Sequence, residues 1–412
     1  MFQLETPGRK MRAWLVGLTL AKVLIFLALA LFLHVKPFVG DNAIYYFIPI
    51  AQRIDTVGSF NDVYTRDFSS VPPAYPFLLA IAYRVAGSLA LPMVVCLQFL
   101  ADLFIAFALL KMGTRFGSHR VAVVAGTIWL LFPPAVVIST WISPETFYSA
   151  CVIGGLLSIA VRDPDLASPK RMGLSGLMFG AATLLRGNTL FLPFIYALYW
   201  VRKRAYAAAA VFLLAFGIPL GIWTARNWVV LRDPIVVSSS FGAAFMQGSD
   251  DKLYQNKATE YTGLFLSAEA AGITKPAVET SSNINRWMFR IGIRNYRLRL
   301  QNQGVFAALG HVARKVGYMW FLTESGNRRS QAILLVCALS VVPLGLWELW
   351  LWLWSGDEAR RIPAITIAFW IGIHLLVVPI ARYTVPILPV IVLAACFRAD
   401  TLLRGVRLPL KN

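Results

Sequence analysis

The hydrophobic positions of the chain fall into long, continuous runs separated by shorter polar stretches. About 20 apolar residues in a helix cross the hydrocarbon core of a bilayer, so the longer runs predict transmembrane helices. Two runs in the middle of the chain, 173–186 and 189–201, are short for a span and favour a shallow hairpin buried among its neighbours. We place the predicted spans at residues 13–33, 89–110, 121–139, 146–161, 173–186, 189–201, 206–228, 332–354, 363–380 and 384–398. The pattern therefore predicts an all-α polytopic membrane protein of about ten helices.

The pattern changes between residues 34 and 88, which form the first predicted outer loop. Apolar residues there recur at helical spacing, as in a helix that lies in the membrane interface. These residues are Ile44, Phe47, Ile48, Ala51 and Ile54, and Asp41 falls at the N-cap. Pro72 and Pro73 then open a second apolar helix, Tyr75–Ala86, which is too short to span and which we also interpret as interfacial.

Basic residues decide which end of each span faces the cytoplasm. The 412 residues are 58% hydrophobic and 14% charged, with a net charge of +19. Much of the positive charge lies in short loops between apolar runs, which is typical of the positive-inside rule and of anionic membrane lipids as partners, not of nucleic-acid binding. Both termini are then cytoplasmic, and Asp41 emerges on the outer side.

Three regions follow from this topology. Residues 1–230 form a transmembrane core that includes the first outer loop, and residues 332–412 form the last transmembrane helices with a short cytoplasmic tail. Residues 231–331 are the only long polar stretch and predict an outer, helical loop region. We find no internal repeat in the chain.

Two acids on the predicted outer side are candidates for chemistry. Asp41 lies between the two interfacial helices, and Glu145 begins a span directly after a proline. Helix capping is the alternative explanation for each. An ionisable residue this close to hydrocarbon is a functional candidate by default.

Three arginines end apolar runs on the same side: Arg186, Arg226 and Arg382. Each could instead extend its side chain to lipid headgroups. Their convergence with two acids fits an anionic ligand better, because a guanidinium binds phosphate through forked, charged hydrogen bonds. The four histidines have no metal-ligand spacing, and no Walker loop, dinucleotide fingerprint or nucleophile elbow is present.

The set of motifs resembles the GT-C superfamily of membrane glycosyltransferases, in the branch of the protein O-mannosyltransferases and the lipid A aminoarabinose transferase. The matching stretches run through nearly the whole chain in order. They are Gly40-Asp41-Asn42 with Tyr45-Tyr46, Pro72-Pro73-Ala74-Tyr75, Ser143-Pro144-Glu145, Leu185-Arg186, Leu192-Pro193, Arg226-Asn227, Ser238 to Gly248, and Arg382-Tyr383 with Pro386 and Pro389.

The resemblance implies a polyprenyl-phosphate-sugar-dependent glycosyltransferase in a bacterial inner membrane, with a periplasmic active site. Asp41 would act as the general base of an inverting transfer to an acceptor hydroxyl on a lipid, polysaccharide or protein, and Glu145 would position the acceptor or Asp41. The implied donor-phosphate ligands are Arg66, Arg186, Arg226 and Arg382, and the implied substrate-binding residues are Tyr45, Tyr46, Tyr75, Asn227 and Tyr383.

Two departures from the family pattern leave points open. Asn42 stands where many relatives have a second acid, so we assign no cofactor and leave a divalent metal undecided. Val71 stands where many have a lysine for the donor phosphate. The alternatives to a transferase are a transporter or flippase for a lipid-linked or anionic substrate, and a non-catalytic subunit that binds lipid-linked glycan. The absence of a repeat and the gathering of charges on one side favour the transferase.

Overall fold

The computed structural model describes residues 9–33, 43–58, 71–160, 168–251, 261–321 and 328–406, and within these ranges the chain is helical with no strand. The helices follow in chain order. They are α1 (Arg9–Leu33), α2 (Ile48–Val57), α3 (Ala74–Ala86), α4 (Ala90–Arg115), α5 (His119–Leu131), α6 (Pro133–Ile138), α7 (Glu145–Ala160), α8 (Pro169–Leu185), α9 (Leu192–Arg202), α10 (Tyr206–Leu231), α11 (Phe241–Ser249), α12 (Tyr261–Ala270), α13 (Ser281–Trp320), α14 (Arg328–Leu353), α15 (Glu358–Leu376) and α16 (Leu388–Val406).

The helical segments have the length and apolarity of a multi-pass membrane protein. Within the described residues, five are long and apolar enough to cross a membrane: Ala74–Arg115, Tyr206–Leu231, Arg328–Leu353, Glu358–Leu376 and Ala381–Gly405. Three shorter apolar helices cover Val16–Phe32, His119–Leu131 and Glu145–Ala160. Helix covers most of each predicted span, which confirms the all-α polytopic class, while the number of crossings stays a prediction.

The predicted span 121–139 is wrong as a single helix, because the chain breaks between α5 and α6. Phe132 has φ −67° and ψ 116°, an extended conformation, and Pro133 begins the next helix. A residue before proline is pushed out of the helical region by the proline ring, and the proline has no N–H to continue the hydrogen-bond ladder.

The helix after Asp41 differs from its predicted register. Residues Ala43–Phe47 form a π-helical turn that runs into α2. A π turn holds more residues than an α turn, so the residues before it are rotated about the helix axis. Ala43 and Ile50 are therefore buried, whereas Ile44, which we predicted on the apolar face, is 50% exposed.

Close backbone contacts set the directions of α7, α8 and α10. Glycines on α8 face α10: a Cβ on Gly176 would lie 2.3 Å from the Phe212 carbonyl oxygen, and one on Gly180 would lie 2.8 Å from that of Phe216. A step of four residues along α8, from Gly176 to Gly180, moves the contact four residues forward along α10, from Phe212 to Phe216. The two helices therefore run parallel. The Ser175 hydroxyl of α8 donates to the Gly155 carbonyl of α7 (3.0 Å). We call the end of the bundle at which α8 and α10 finish the site end.

Residues after α10 form α11, α12 and the long helix α13, as predicted for a helical region, although its outer location stays a prediction. The backbone of α13 kinks at Gly304, whose φ of 79° and ψ of 178° lie outside the helical region. A positive φ of this kind favours glycine. Beyond the kink, the Lys315 ammonium donates to the Leu375 carbonyl at the end of α15 (2.7 Å). This contact ties the second half of α13 to a membrane-spanning helix.

Candidate functional site

A buried ion pair joins Glu145 and Arg186 at the site end of the bundle. Glu145 is the first residue of α7, and Arg186 is the residue at which the chain leaves α8 in an extended conformation. Their side chains are only 2% and 13% exposed. The Ser143 hydroxyl also donates to the Glu145 carboxylate. Both partners of such a pair must be kept, because loss of one leaves an uncompensated buried charge.

The ring of Tyr383 lies against two guanidiniums. Tyr383 belongs to a 3₁₀ segment, Ala381–Ile387, that follows α15. The Arg186 guanidinium lies 4.2 Å from the ring centroid and that of Arg382 lies 5.4 Å from it. Arg382 also lies close enough to interact with the charge of Glu145. Among these described side chains, two guanidiniums and one carboxylate leave one positive charge in surplus, which favours an anionic ligand.

Hydrogen bonds from two spans fix the 3₁₀ segment that presents these groups. The Trp370 indole of α15 donates to the Tyr383 carbonyl (3.2 Å). The Ser149 hydroxyl of α7 donates to the Pro386 carbonyl (3.3 Å). Because these donors come from rigid helices, the position of Arg382 and Tyr383 relative to Glu145 is set by the packing of the bundle.

His374 completes this cluster, and the sequence did not indicate it. Its ring is fully buried and stacks on Trp370, with ring centroids 5.2 Å apart. Nδ1 lies 2.9 Å from the Trp370 carbonyl and Nε2 lies 3.2 Å from the Asn188 amide nitrogen. A neutral ring with its proton on Nδ1 satisfies both contacts. No signal in the sequence marked His374, because the four histidines do not have the spacing of metal ligands.

Tyr75, predicted to bind substrate, has contacts that position the turn before Glu145. Its ring is fully buried, and its hydroxyl donates to the Gln98 amide oxygen (3.1 Å). The Gln98 amide nitrogen then donates to the carbonyls of Ser139 and Trp141, each at 2.8 Å. Substrate contact by Tyr75 stays a prediction, whereas its observed contacts hold α3 and α4 to the chain that delivers Glu145.

Arg226 and Asn227 lie at the site end of α10. The fully buried Asn227 amide donates to the Ile235 carbonyl (2.8 Å) and so closes the turn after the helix. The Arg226 guanidinium donates to the Asn227 side-chain oxygen (3.0 Å) and lies 5.1 Å from the ring centroid of Trp223. Trp223 packs in one apolar cluster with Leu184, two residues before Arg186. The predicted phosphate and substrate roles of this pair stay predictions.

Some predicted residues fall where the structure describes nothing. Asp41 and Arg66 lie outside the described residues, as does the side chain of Tyr45. Tyr46, in the π-helical turn, is 37% exposed. Among the described residues, no group of three or more His, Cys, Asp or Glu side chains could hold a metal ion. Metal dependence therefore stays open.

A second polar cluster lies beside the first, on the buried face of α13. The Lys315 ammonium is fully buried and donates to the Tyr296 hydroxyl (2.8 Å) as well as to the Leu375 carbonyl. Burial, together with the nearby charge of Arg299, lowers the pKa of Lys315 to about 7. His311 contacts Asp251 through Nδ1 and the Gly248 carbonyl through Nε2 (3.0 Å), and burial lowers its pKa.

An open cleft of about 470 Å³ adjoins the second cluster, not the Glu145–Arg186 pair. Its lining includes Asp251, Arg299 and Arg314. Asp251 accepts hydrogen bonds from both arginines, at 3.3 Å and 2.6 Å. The cleft walls are therefore cross-linked by ion pairs.

Comparison with solved structures shows a shared fold. The chain aligns over 97% of its length with the archaeal oligosaccharyltransferase AglB from Archaeoglobus fulgidus in complex with an inhibitory peptide and a dolichol-phosphate, at 10% identity and a TM-score of 0.50. It aligns over 96% with the apo form of the Archaeoglobus fulgidus oligosaccharyltransferase, at 12% identity and a TM-score of 0.51. It covers 52% and 51% of those chains, so it spans about half of their length.

A weaker likeness is to ArnT from Cupriavidus metallidurans bound to undecaprenyl phosphate. The identity is 17%, the TM-score is 0.42, and the alignment covers 88% of this chain and 77% of that one. No protein-family model and no curated protein sequence matches the chain. The chain thus shares the fold of about half of the archaeal oligosaccharyltransferase at very low sequence identity.

Proposed function

We propose that this chain, which has the GT-C fold of membrane glycosyltransferases, moves a sugar from a polyprenyl-phosphate donor to an acceptor hydroxyl. The observation that carries the proposal is the cluster of Glu145, Arg186, Arg382 and Tyr383 at one end of a membrane-spanning bundle. Its surplus positive charge lies beside the ends of apolar helices, where the phosphate of a lipid-linked donor would be found.

In this mechanism Arg382 contacts the donor phosphate directly. Arg186 is neutralised by Glu145, so it orients Tyr383 and contributes its remaining N–H groups. The leaving group of the transfer is a polyprenyl phosphate, and positive charge fixed beside it stabilises the negative charge that develops as the bond to the sugar breaks. Arg66 and Arg226 are further candidates for this task.

Asp41 supplies the base. It takes the proton of the acceptor hydroxyl as that oxygen attacks the anomeric carbon from the face opposite the phosphate, which inverts the carbon. General-base assistance of this kind contributes about 10²–10⁴ in rate. Glu145 is held by Arg186 and Ser143, so it acts as a fixed acceptor at the edge of the site. By the charge distribution of the loops, the site faces the periplasm and both termini face the cytoplasm.

The test uses purified protein in lipid nanodiscs with a short-chain polyprenyl-phosphate sugar. We expect the wild type to bind the donor and to release free polyprenyl phosphate when an acceptor is present. Asp41→Asn should bind the donor equally well and release none. The matched control is Arg286→Gln, which changes an exposed arginine on α13 and should leave both readouts unchanged.

Each competing function has its own outcome. Donor that crosses a proteoliposome membrane with its sugar still attached would identify a transporter. Binding without cleavage in the wild type, across lipid, polysaccharide and protein acceptors, would identify a binding subunit. Cleavage that survives Asp41→Asn would remove Asp41 as the base while keeping the transferase.

A further inference from the structure

The second half of α13, residues 305–320, exposes large apolar side chains and buries two ionisable ones. Its exposed positions are apolar: Val305 is 64% exposed, Phe306 90% and Leu309 59%. Two of its buried positions are ionisable, since His311 is 1% exposed and Lys315 is fully buried, and Met319 and Trp320 are buried beside them. A helix on the surface of a water-soluble protein has the opposite arrangement, with its polar stripe in solvent.

The exposed apolar residues and the buried residues each recur at helical spacing, so each set forms one face of the helix. The outward stripe runs through residues 305, 309, 313 and 316, and the inward stripe through residues 311, 315 and 319. The inward polar groups are all engaged with protein, through the Lys315 contacts to Tyr296 and Leu375 and the His311 contacts to Asp251 and Gly248. The apolar face is therefore exposed, and the half-exposed Arg314, which pairs with Asp251, lies beside it on the helix.

From these observations we infer that residues 305–320 form a helix embedded in the membrane interface, with Phe306 and Leu309 among the lipid acyl chains. The inference does not depend on the proposed function. The segment holds 16 residues, about 24 Å of helix, which is too short to cross a hydrocarbon core of about 30 Å. A helix of this length with one apolar face lies in the plane of the interface.

Continuity with the bundle makes lipid the occupant of this face. Lys315 is bonded to the carbonyl of Leu375, in the last turn of the span Glu358–Leu376, so the segment lies at the depth where a spanning helix leaves the membrane. Leu376 beside it is itself 51% exposed. The apolar face of the segment therefore extends the lipid-facing surface of the spanning helices.

The kink at Gly304 is where the chain changes its surroundings. Before it, α13 exposes Arg286, Arg290 and Arg297, and after it the exposed large side chains are apolar except for Arg314, which pairs with Asp251. The left-handed backbone of Gly304 allows the helix axis to turn at this boundary without strain. The arginine-bearing half suits water or headgroups, and the half after the kink suits hydrocarbon.

The test measures the accessibility of nitroxide spin labels on the full chain in nanodiscs of phosphatidylethanolamine and phosphatidylglycerol. Labels are placed by Phe306→Cys, Leu309→Cys and Val316→Cys, after the four native cysteines are replaced by alanine. Oxygen concentrates in hydrocarbon, and a water-soluble nickel chelate is excluded from it. We expect a higher oxygen-to-nickel ratio at these positions than at the control Lys275→Cys, a half-exposed position in the loop before α13.

Two results would overturn the inference. Nickel accessibility at Phe306 and Leu309 equal to that at Lys275 would place the face in water. Low accessibility to both reagents would mean that protein, such as a second copy of the chain, covers it. If the cysteine-free chain does not fold, a photo-crosslinking benzophenone amino acid replaces Phe306 in the wild-type background. Crosslinks to lipid would support the inference. Crosslinks to protein, or none, would contradict it.

Discussion

Glu145 and Arg186 are 41 positions apart in the chain, yet their side chains form one buried ion pair at the site end of the bundle. The pair exists because α7 begins where α8 ends, and the close contact between the two helices fixes both ends. It neutralises one of the two guanidiniums that lie on Tyr383. In the proposed mechanism, donor binding therefore depends most on Arg382.

Arg186→Gln should destabilise the protein more than an ordinary surface change. Removing one partner of a buried pair costs about 3–5 kcal/mol, because the remaining charge is left without compensation. We therefore expect a clear drop in the thermal unfolding midpoint in detergent. Adding Glu145→Gln to Arg186→Gln should recover part of that drop. A double variant less stable than Arg186→Gln alone would show that the pairing is not the source of the cost.

Arg382→Gln should weaken donor binding and change stability little. Arg382 is partly exposed and its guanidinium lies 5.4 Å from the centroid of the Tyr383 ring, whereas the Arg186 guanidinium is hydrogen-bonded to Glu145. A hydrogen bond to a charged group contributes about 1.5–3 kcal/mol, so the affinity for a short-chain polyprenyl phosphate should fall about tenfold or more. Titration in nanodiscs measures the affinity, and Arg382→Lys should retain part of it. Unchanged affinity in Arg382→Gln would move the phosphate to another arginine.

Gly176→Ala tests the close approach of α8 and α10, which brings Arg186 and Arg226 to the same end. The added Cβ would lie 2.3 Å from the Phe212 carbonyl oxygen, so the helices must separate. Overpacking of this kind costs about 1–3 kcal/mol. The matched control is Gly217→Ala on α10, where a Cβ meets nothing within 4 Å and alanine is the better helix former. Equal unfolding midpoints in the two variants would contradict the close packing.

The sequence predicted the positions of the helices along the chain better than the contacts between them. Apolar runs are local signals, and the predicted span 206–228 lies within α10, Tyr206–Leu231. The Glu145–Arg186 pair and the contact of Arg186 with Tyr383 depend on which helix ends meet, which no local pattern contains. For the same reason the sequence suggested that the outer arginines converge, but not that a carboxylate neutralises one of them.

Two further features needed three-dimensional contacts. His374 has no spacing that marks it, and its role follows from the Asn188 amide and the Trp370 carbonyl that enclose its ring. The sequence predicts residues 231–331 as an outer helical loop region, because this is the only long polar stretch between the predicted spans. Composition averages over faces, whereas the exposed apolar stripe of residues 305–316 is visible only once the burial of each position is known.

Lys315 should make the stability of the protein depend on pH between about 7 and 10. Its pKa is about 7 in the folded state, below the ordinary lysine value of 10.5, because burial disfavours the charged form. In that range the unfolded chain binds more protons than the folded chain at this group, so the free energy of unfolding contributed by Lys315 rises with pH. Below pH 7 both states are protonated and the burial penalty is fully present.

Lys315→Met separates this contribution from the rest of the protein. The variant removes the titrating group. We expect the unfolding midpoint of the variant minus that of the wild type to be larger at pH 7 than at pH 9.5. The reason is that the wild type carries the penalty of a buried charge at pH 7, and the variant does not. Thermal unfolding at both values in the same lipid gives the comparison. Lys275→Met, at a half-exposed lysine, serves as the control and should show the same difference from wild type at both values. If the difference between Lys315→Met and wild type does not change with pH, Lys315 keeps one protonation state throughout. Its contacts with Tyr296 and Leu375 would then alone account for its effect on stability.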